Sequence, residues 1–185
     1  MPLTPIDIAR ICRAPLAHVE CHWPRILLAL SERGIQGDLP EVAAAATIAI
    51  ETARTFQPIH EYGDAAYFTQ HYEGRKDLGN TEPGDGARFF GRGFAQLTGR
   101  ANYTRYGGMI HRDLVTDPAL ALDPDVSAQL FALFFQERSI APLAQAHEWL
   151  TIRKRWNGVN RATGMPNGWK EFNDCVCGLL EVIHE

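Results

Sequence analysis

One nine-residue apolar run constrains the fold of this chain more than any other feature. Val42 to Ile50 reads VAAAATIAI, and a helix of this composition has no polar face to turn towards water. Such a helix has to be covered on all sides, so it predicts the buried centre of a mainly α domain. The run is too short to span a bilayer and therefore does not predict membrane insertion.

Capping residues, prolines and glycines predict further helices on both sides of this run. The predicted segments are 4–13, 17–33 with Pro24 inside it, 39–53 with Asp38 as N-cap, 64–74, 98–107 with Thr98 as N-cap, 123–138, 142–156 and 168–183. Residues 74–92 are rich in glycine and are predicted to be a loop, and 94–97 are predicted to be a short strand. We find no internal repeat or linker, so we expect residues 1–185 to form a single catalytic domain without a separate cell-wall-binding module.

Charge and cysteine content exclude several classes of protein. The formal net charge of -4 gives no overall cationic surface for nucleic acid, and we expect no nucleic-acid partner. Cys12, Cys21, Cys175 and Cys177 form neither a CxxC motif nor a usual zinc pair, so we expect reduced thiols. The first residues carry no secretory signal, which predicts synthesis in the cytoplasm and holin-type or secretion-machine delivery to an external substrate.

Glu51 follows the apolar helix directly and is the first candidate for chemistry. Desolvation at the end of a buried helix, together with the negative end of the helix dipole, disfavours an ionised carboxylate. A carboxylic acid held protonated near neutral pH is what a glycosidase uses to protonate a leaving oxygen. The alternative interpretation is that Glu51 only marks the point where the helix meets water.

Two further glutamates are candidates for the second carboxylate of a glycosidase. Glu61 lies in a loop ten residues after Glu51, and Glu73 lies at the end of the predicted helix 64–74. Inverting glycosidases place their two carboxyl groups roughly 6.5–9.5 Å apart and retaining ones near 5 Å. Sequence spacing does not give this separation, and either residue is also consistent with a solvated surface acid.

The most informative stretch, residues 90–103, reads FGRGFAQLTGRANY. Its glycines match neither a phosphate loop nor a dinucleotide fingerprint. The polar residues Gln96, Thr98, Asn102 and Tyr103 suit hydrogen bonding to a sugar or to a water molecule.

This stretch, preceded by GDGARF, closely resembles the signature of family 19 glycoside hydrolases, which comprise plant-type chitinases and many phage endolysins. Four other segments are similar to the family. They are Ile50-Glu51-Thr52, with isoleucine in place of the usual histidine; FQPIHEY at 56–62, which is similar to the phage-type branch; YEGR at 72–75 with LGN at 78–80; and RWNGVN at 155–160.

The resemblance implies a lysozyme-like fold, with a helical body and a small β-containing lobe flanking a substrate cleft. It implies Glu51 as general acid, Glu61 as the base that activates water, and Thr98 as a residue that positions this water. Glu73 remains the alternative base, because its spacing from Glu51 is similar to that of plant chitinases. The implied substrate-binding residues are Arg92, Gln96, Asn102, Tyr103, Trp156 and Asn157. No metal and no cofactor is implied.

We therefore expect an endo-acting, endolysin-like glycoside hydrolase that cleaves β-1,4 bonds of bacterial peptidoglycan. We expect the mechanism to be inverting, with a general acid and a general base. A chitinase acting on chitin oligomers is the first alternative. A catalytically silent peptidoglycan-binding protein is the second, because Ile50 and the altered 155–160 segment depart from the family pattern. We expect a monomer that does not insert stably into membranes.

Overall fold

The structure, a computed structural model, is mainly helical and describes residues 2–184, with only the backbone of His184. Within these residues there are ten α-helices, numbered α1 to α10. They are Pro5–Cys12, Leu16–Ser31, Asp38–Glu51, Ala65–Tyr72, Asp85–Arg88, Arg100–Met109, Pro124–Glu137, Ile140–Gln145, Trp149–Asn157 and Trp169–His184. Two 3-10 helices span Lys76–Leu78 and Pro118–Leu122. The predicted mainly α class is confirmed.

The contacts divide the chain into two compact units. The first comprises Met1–Phe56 and Ala132–Glu185, and the second comprises Gln57–Phe131. Helix α7 contributes residues to both. That residues 1–185 act as one catalytic domain stays a prediction.

Helix α3 forms the centre of the first unit, as the apolar run predicted. Every residue from Val42 to Ala49 is fully buried, and α3 contacts α1, α8, α9 and α10. The four consecutive alanines leave little side-chain volume between α3 and its neighbours, which allows close helix packing. The end of α3 is therefore held firmly from several sides, and Glu51 is its last residue.

Some helix ends in the first unit follow the sequence prediction and others do not. Thr4 caps α1 through a capping box with Asp7, and α2 continues through Pro24. Helix α3 begins at Asp38, with Gly37 as N-cap, so the prediction of Asp38 as the capping residue is wrong. Gly37 has a φ of 109°, a backbone conformation that an aspartate at that position would adopt only under strain.

The predicted helix 142–156 is two helices rather than one. Helix α8 ends at Gln145 and α9 begins at Trp149. His147 between them has a left-handed φ of 56°, which stops right-handed helical geometry at that residue. The break sets the direction of α9, which carries Arg153 and Asn157.

The second unit contains a tight turn where a strand was predicted. Residues 93–96 form turns between Arg92 and Leu97, which make one isolated antiparallel bridge; His60 and Arg92 make another. The strand predicted at 94–97 is therefore wrong. Gly93 and Gln96 have φ angles of 80° and 50°, and two left-handed residues so close together reverse the chain instead of extending it.

Of the two helix caps predicted on either side of this turn, one is confirmed and one is wrong. Asp64 caps α4 by accepting a 2.8 Å hydrogen bond from the amide of Tyr67, as predicted. Helix α6 begins at Arg100 with Gly99 as N-cap, so the predicted capping role of Thr98 is wrong. The segment 74–92, predicted to be a loop, contains the 3-10 helix Lys76–Leu78 and the short helix α5. No helix within residues 2–184 is both long and apolar enough to cross a membrane.

Candidate active site

Glu51 is held by an arginine from a distant part of the sequence. Nη1 of Arg153, on α9, donates a 2.5 Å hydrogen bond to Oε1 of Glu51, and the two groups form an ion pair. The side chains are 3% and 13% exposed, respectively. The sequence predicted a desolvated carboxyl group here and gave no indication of a cationic partner. The structure instead shows a carboxylate with a buried cationic partner.

Arg153 is itself fixed by the segment that precedes α10. Its Nε donates a 2.9 Å hydrogen bond to the carbonyl of Asn167, and Nδ2 of Asn157 donates to the same carbonyl at 3.3 Å. A Cβ atom at Gly168 would lie 3.1 Å from Nη2 of Arg153 and 2.9 Å from Ile50. Glycine at 168 therefore lets the backbone approach both side chains closely.

Arg153 was missed by the sequence analysis, although a signal was present. Helix α9 buries Ile152, Arg153 and Trp156, which lie on one face at helical spacing. An arginine on the apolar face of a helix needs a buried acidic partner, because an unpaired buried charge is costly. The buried position of Arg153 on α9 thus indicates an acidic partner, but the helix pattern does not identify Glu51 as that partner.

Glu61 lies in the second unit, next to α4 and the signature loop, which is the part of the signature that precedes α6 (residues 90–99). The hydroxyl of Tyr72 donates to both of its carboxylate oxygens, at 2.7 Å to Oε1 and 3.0 Å to Oε2. The amide of Gly91 donates to Oε2 at 3.3 Å, and the amide of Glu61 donates to the carbonyl of Gly91 at 2.8 Å. Both the backbone and the carboxylate of Glu61 are thus anchored to the signature.

Three polar side chains converge above Gly91. A Cβ atom built on this glycine would lie 2.9 Å from Oε1 of Gln96, 3.3 Å from Oε2 of Glu61 and 3.3 Å from Oγ1 of Thr98. The structure therefore brings the predicted base, the predicted water-positioning residue and a predicted substrate-binding residue around one point. The space that the missing side chain leaves is lined by a carboxylate, an amide oxygen and a hydroxyl.

The turn at 93–96 sets this arrangement. The side-chain amide of Gln96 donates to the carbonyls of Ile59 and Gly93, at 3.0 and 2.8 Å, which leaves its Oε1 towards Gly91. Thr98 donates to the carbonyl of Gln96 at 2.9 Å, and Nδ2 of Asn102 donates to the carbonyl of Thr98 at 2.8 Å. Asn102 therefore supports the loop that carries Thr98.

Glu73, the alternative base, is occupied by a structural role. Its Oε1 accepts a hydrogen bond from the amide of Gly84 and its Oε2 accepts one from the amide of Gly86, both at 2.7 Å. These amides belong to the turn at the start of α5, so the carboxylate stabilises that turn. That Glu61 rather than Glu73 is the base stays a prediction.

Two predicted substrate-binding residues are buried rather than accessible to a sugar. Tyr103 is fully buried; it accepts a 2.8 Å hydrogen bond from Arg92 and donates to the carbonyl of Phe90 at 2.9 Å. Burial raises the pKa of Tyr103 to about 12. Trp156 is 9% exposed and packs in the first unit against Phe134 and Phe135. Both are large, mainly apolar side chains that their helices bury, each within its own unit.

Arg92 and Asn157 are more accessible than Tyr103 and Trp156. The guanidinium of Arg92 lies 3.7 Å from the ring centroid of Phe90 and donates to the carbonyls of Arg88 and Phe90. Asn157 is exposed at the end of α9. Among the described side chains, those of residues 2–183, no cluster of three or more His, Cys, Asp or Glu could hold a metal ion.

The family model of glycoside hydrolase family 19, described as chitinase class I, matches residues 43–184. The chain belongs to glycoside hydrolase family 19. The match covers the parts of both units that carry Glu51, Glu61, Thr98 and Arg153.

Individual plant proteins of family 19 are similar to about half of the chain. Endochitinase 1 of Solanum tuberosum is 29% identical over 99 residues, which are 54% of this chain and 31% of that protein. The basic 30 kDa endochitinase of Solanum lycopersicum is 31% identical over 100 residues, again 54% of this chain and 31% of that protein. The matched region thus spans about a third of the length of these curated relatives.

A solved structure shares the family 19 fold. Chitinase C from Streptomyces griseus HUT6037 superimposes with a TM-score of 0.74 at 15% sequence identity, covering 98% of this chain and 76% of that chain. The lysozyme-like fold expected from the signature is therefore confirmed. Assignment to the phage-type branch of the family stays a prediction.

Proposed function

We propose that this chain is a glycoside hydrolase that cleaves β-1,4 bonds in an amino-sugar polymer with inversion at the anomeric carbon. The observation that carries the proposal is the convergence of Glu61, Gln96 and Thr98 above Gly91. A carboxylate and a hydroxyl facing one small space suit the binding and deprotonation of a single water molecule.

In the proposed mechanism Glu61 removes a proton from this water while Thr98 orients it. Glu51 protonates the glycosidic oxygen of the leaving sugar, and the water attacks the opposite face of the ring. Arg153 orients Glu51 through Oε1. For this step Glu51 has to carry a proton, which it passes to the leaving oxygen.

For the substrate, we propose bacterial peptidoglycan. The segment 56–62, which carries Glu61, is similar to the phage-type branch of the family, and this similarity supports a cell-wall substrate. Chitin is the second candidate, because the similar plant proteins are named endochitinases and the structural neighbour is named chitinase C. Both polymers contain β-1,4-linked N-acetylated amino sugars.

The test is release of reducing ends from purified peptidoglycan and from chitin hexamers by the full chain. We expect Glu51→Gln and Glu61→Gln to lose at least about 100-fold in rate, and Thr98→Ala roughly 10- to 100-fold. Thr98→Ser keeps the hydroxyl and is the matched control, with activity near that of the wild type. Proton NMR of the first product anomer reports inversion or retention.

Different outcomes contradict different parts of the proposal. Full activity of Glu51→Gln or Glu61→Gln on the preferred polymer would remove that residue from the mechanism. Activity on chitin alone would replace peptidoglycan as the substrate. Binding to either polymer without product would identify a catalytically silent sugar-binding protein.

A further inference from the structure

We propose that Tyr72 is a positioning residue for the base Glu61, whose carboxylate it orients through its hydroxyl. The inference rests on the proposed role of Glu61 and extends it to a residue outside the signature loop. Its basis is a bifurcated hydrogen bond: the single phenolic proton is shared between both oxygens of the carboxylate, which lie 2.7 and 3.0 Å from the phenol oxygen.

The geometry limits how Glu61 can turn. Tyr72 contacts both Oε1 and Oε2, whereas the amide of Gly91 contacts Oε2. Oε2 is also the oxygen 3.3 Å from the Cβ position above Gly91, on the side of Thr98. With Tyr72 in place, rotation of the carboxyl group is restrained and Oε2 faces the space where the water is proposed to bind.

Tyr72 is fixed in turn by a stack of planar groups. Its ring lies nearly parallel to Phe68, with centroids 6.4 Å apart and planes at 18°. Phe68 stacks on Phe90 at 4.1 Å and 7°, and the guanidinium of Arg92 lies 3.7 Å from the centroid of Phe90. The stack joins α4 to the signature loop. The position of the Tyr72 hydroxyl is therefore fixed relative to Gly91, which lies between Phe90 and Arg92.

A buried asparagine fixes the backbone of Tyr72. Nδ2 of Asn80 donates to the carbonyl of Tyr72 at 2.9 Å, and Oδ1 of Asn80 accepts from the amide of Arg100 at 2.8 Å. Asn80 is fully buried, and Arg100 follows Thr98 by two residues. One side chain therefore ties the residue that holds Glu61 to the segment that carries Thr98.

The electrostatic surroundings of Tyr72 are consistent with a neutral phenol that donates. Partial burial first, and then the hydrogen bond to Glu61, raise the pKa of Tyr72. Tyr67 on α4 and Arg75 after it also act on the phenol: Tyr67 raises the pKa of Tyr72 and Arg75 lowers it.

The test is Tyr72→Phe in the full chain, which keeps the ring stack and removes only the hydroxyl. We expect kcat to fall roughly 10- to 100-fold with little change in KM, the range that a hydrogen bond to a charged group supports. Tyr67→Phe is the matched control, since Tyr67 lies on the same helix and is 41% exposed.

Two results would overturn the proposal. One is a Tyr72→Phe enzyme with wild-type kcat and KM, while Glu61→Gln is inactive. The other is an equal change in Tyr67→Phe. An active Glu61→Gln variant would instead contradict the assignment of the base, so the two failures are distinguishable. Far-UV circular dichroism and thermal unfolding of each variant exclude loss of fold as the cause.

Discussion

Arg153 and Glu51 form a buried ion pair although 102 positions separate them in the sequence. The arginine residue is 2% exposed, so its charge depends on Glu51 for compensation. A substitution of either residue therefore changes stability as well as chemistry. Any loss of activity in Glu51→Gln has to be read beside its unfolding free energy.

We predict that Glu51→Gln and Arg153→Met each lower the free energy of unfolding by about 3 kcal/mol, because each leaves a polar or charged partner uncompensated. The double variant should be less destabilised than the sum of the two, with a coupling of about 1–3 kcal/mol. Urea unfolding at pH 7 measures all four proteins. Lys170→Met, which removes an exposed pair with Asp174, is the control and should change nothing measurable. Strict additivity of the single changes would contradict this prediction.

Gly91→Ala tests the space in front of Glu61. The added methyl group would lie within 3.3 Å of Glu61, Gln96 and Thr98, so it should displace the proposed water and lower kcat roughly 100-fold. Gly108→Ala is the matched control. Nothing lies within 4 Å of its Cβ position, and alanine within α6 should add about 0.5–1 kcal/mol of stability without loss of activity. A fully active Gly91→Ala enzyme would show that this space is not used.

The buried ion pair of Asp85 predicts an acid-dependent loss of stability. Hydrogen bonds from Arg100 lower the pKa of Asp85 below its ordinary value of 3.8, so the folded state binds fewer protons there than the unfolded state. The stabilisation is therefore complete above pH 3.8 and is lost as the pH falls through the folded-state pKa. We expect Asp85→Asn to melt well below the wild type at pH 6 and the difference to shrink at pH 2–3. A difference that does not vary with pH would contradict this account.

The four cysteines should divide into two classes in the native protein. Cys21 and Cys177 are exposed, whereas Cys12 and Cys175 are buried. A hydrogen bond to Cys175, followed by burial, raises the pKa of the Cys12 thiol. We expect two thiols to react quickly with a chromogenic disulfide reagent and all four to react after denaturation. The variant with Cys21→Ser and Cys177→Ser should show no fast phase. Four fast thiols in the native wild type would rule out the buried placement.

Signals contained in short segments predicted the fold well. The apolar run 42–50 gave the buried helix α3, and the caps at Thr4 and Asp64 were found where expected. The errors also have local causes. Thr98 is of a residue type that commonly caps helices, but Gly99 takes the N-cap position of α6. The predicted strand at 94–97 is replaced by a turn that contains two left-handed residues. Backbone conformation at Gln96 is set by its hydrogen bonds to Ile59 and Gly93, which periodicity does not reveal.

The sequence by itself determined the mainly helical class, the membership of Glu51 in a buried helix and the signature that holds Gly91, Gln96 and Thr98. Only the tertiary structure determined that Glu51 pairs with Arg153 and that Tyr72 donates to Glu61. It also determined that both oxygens of Glu73 accept hydrogen bonds from backbone amides. The physical reason is separation along the chain. Periodicity and caps act within a few residues, whereas the partner of a buried charge is chosen by which helices pack together.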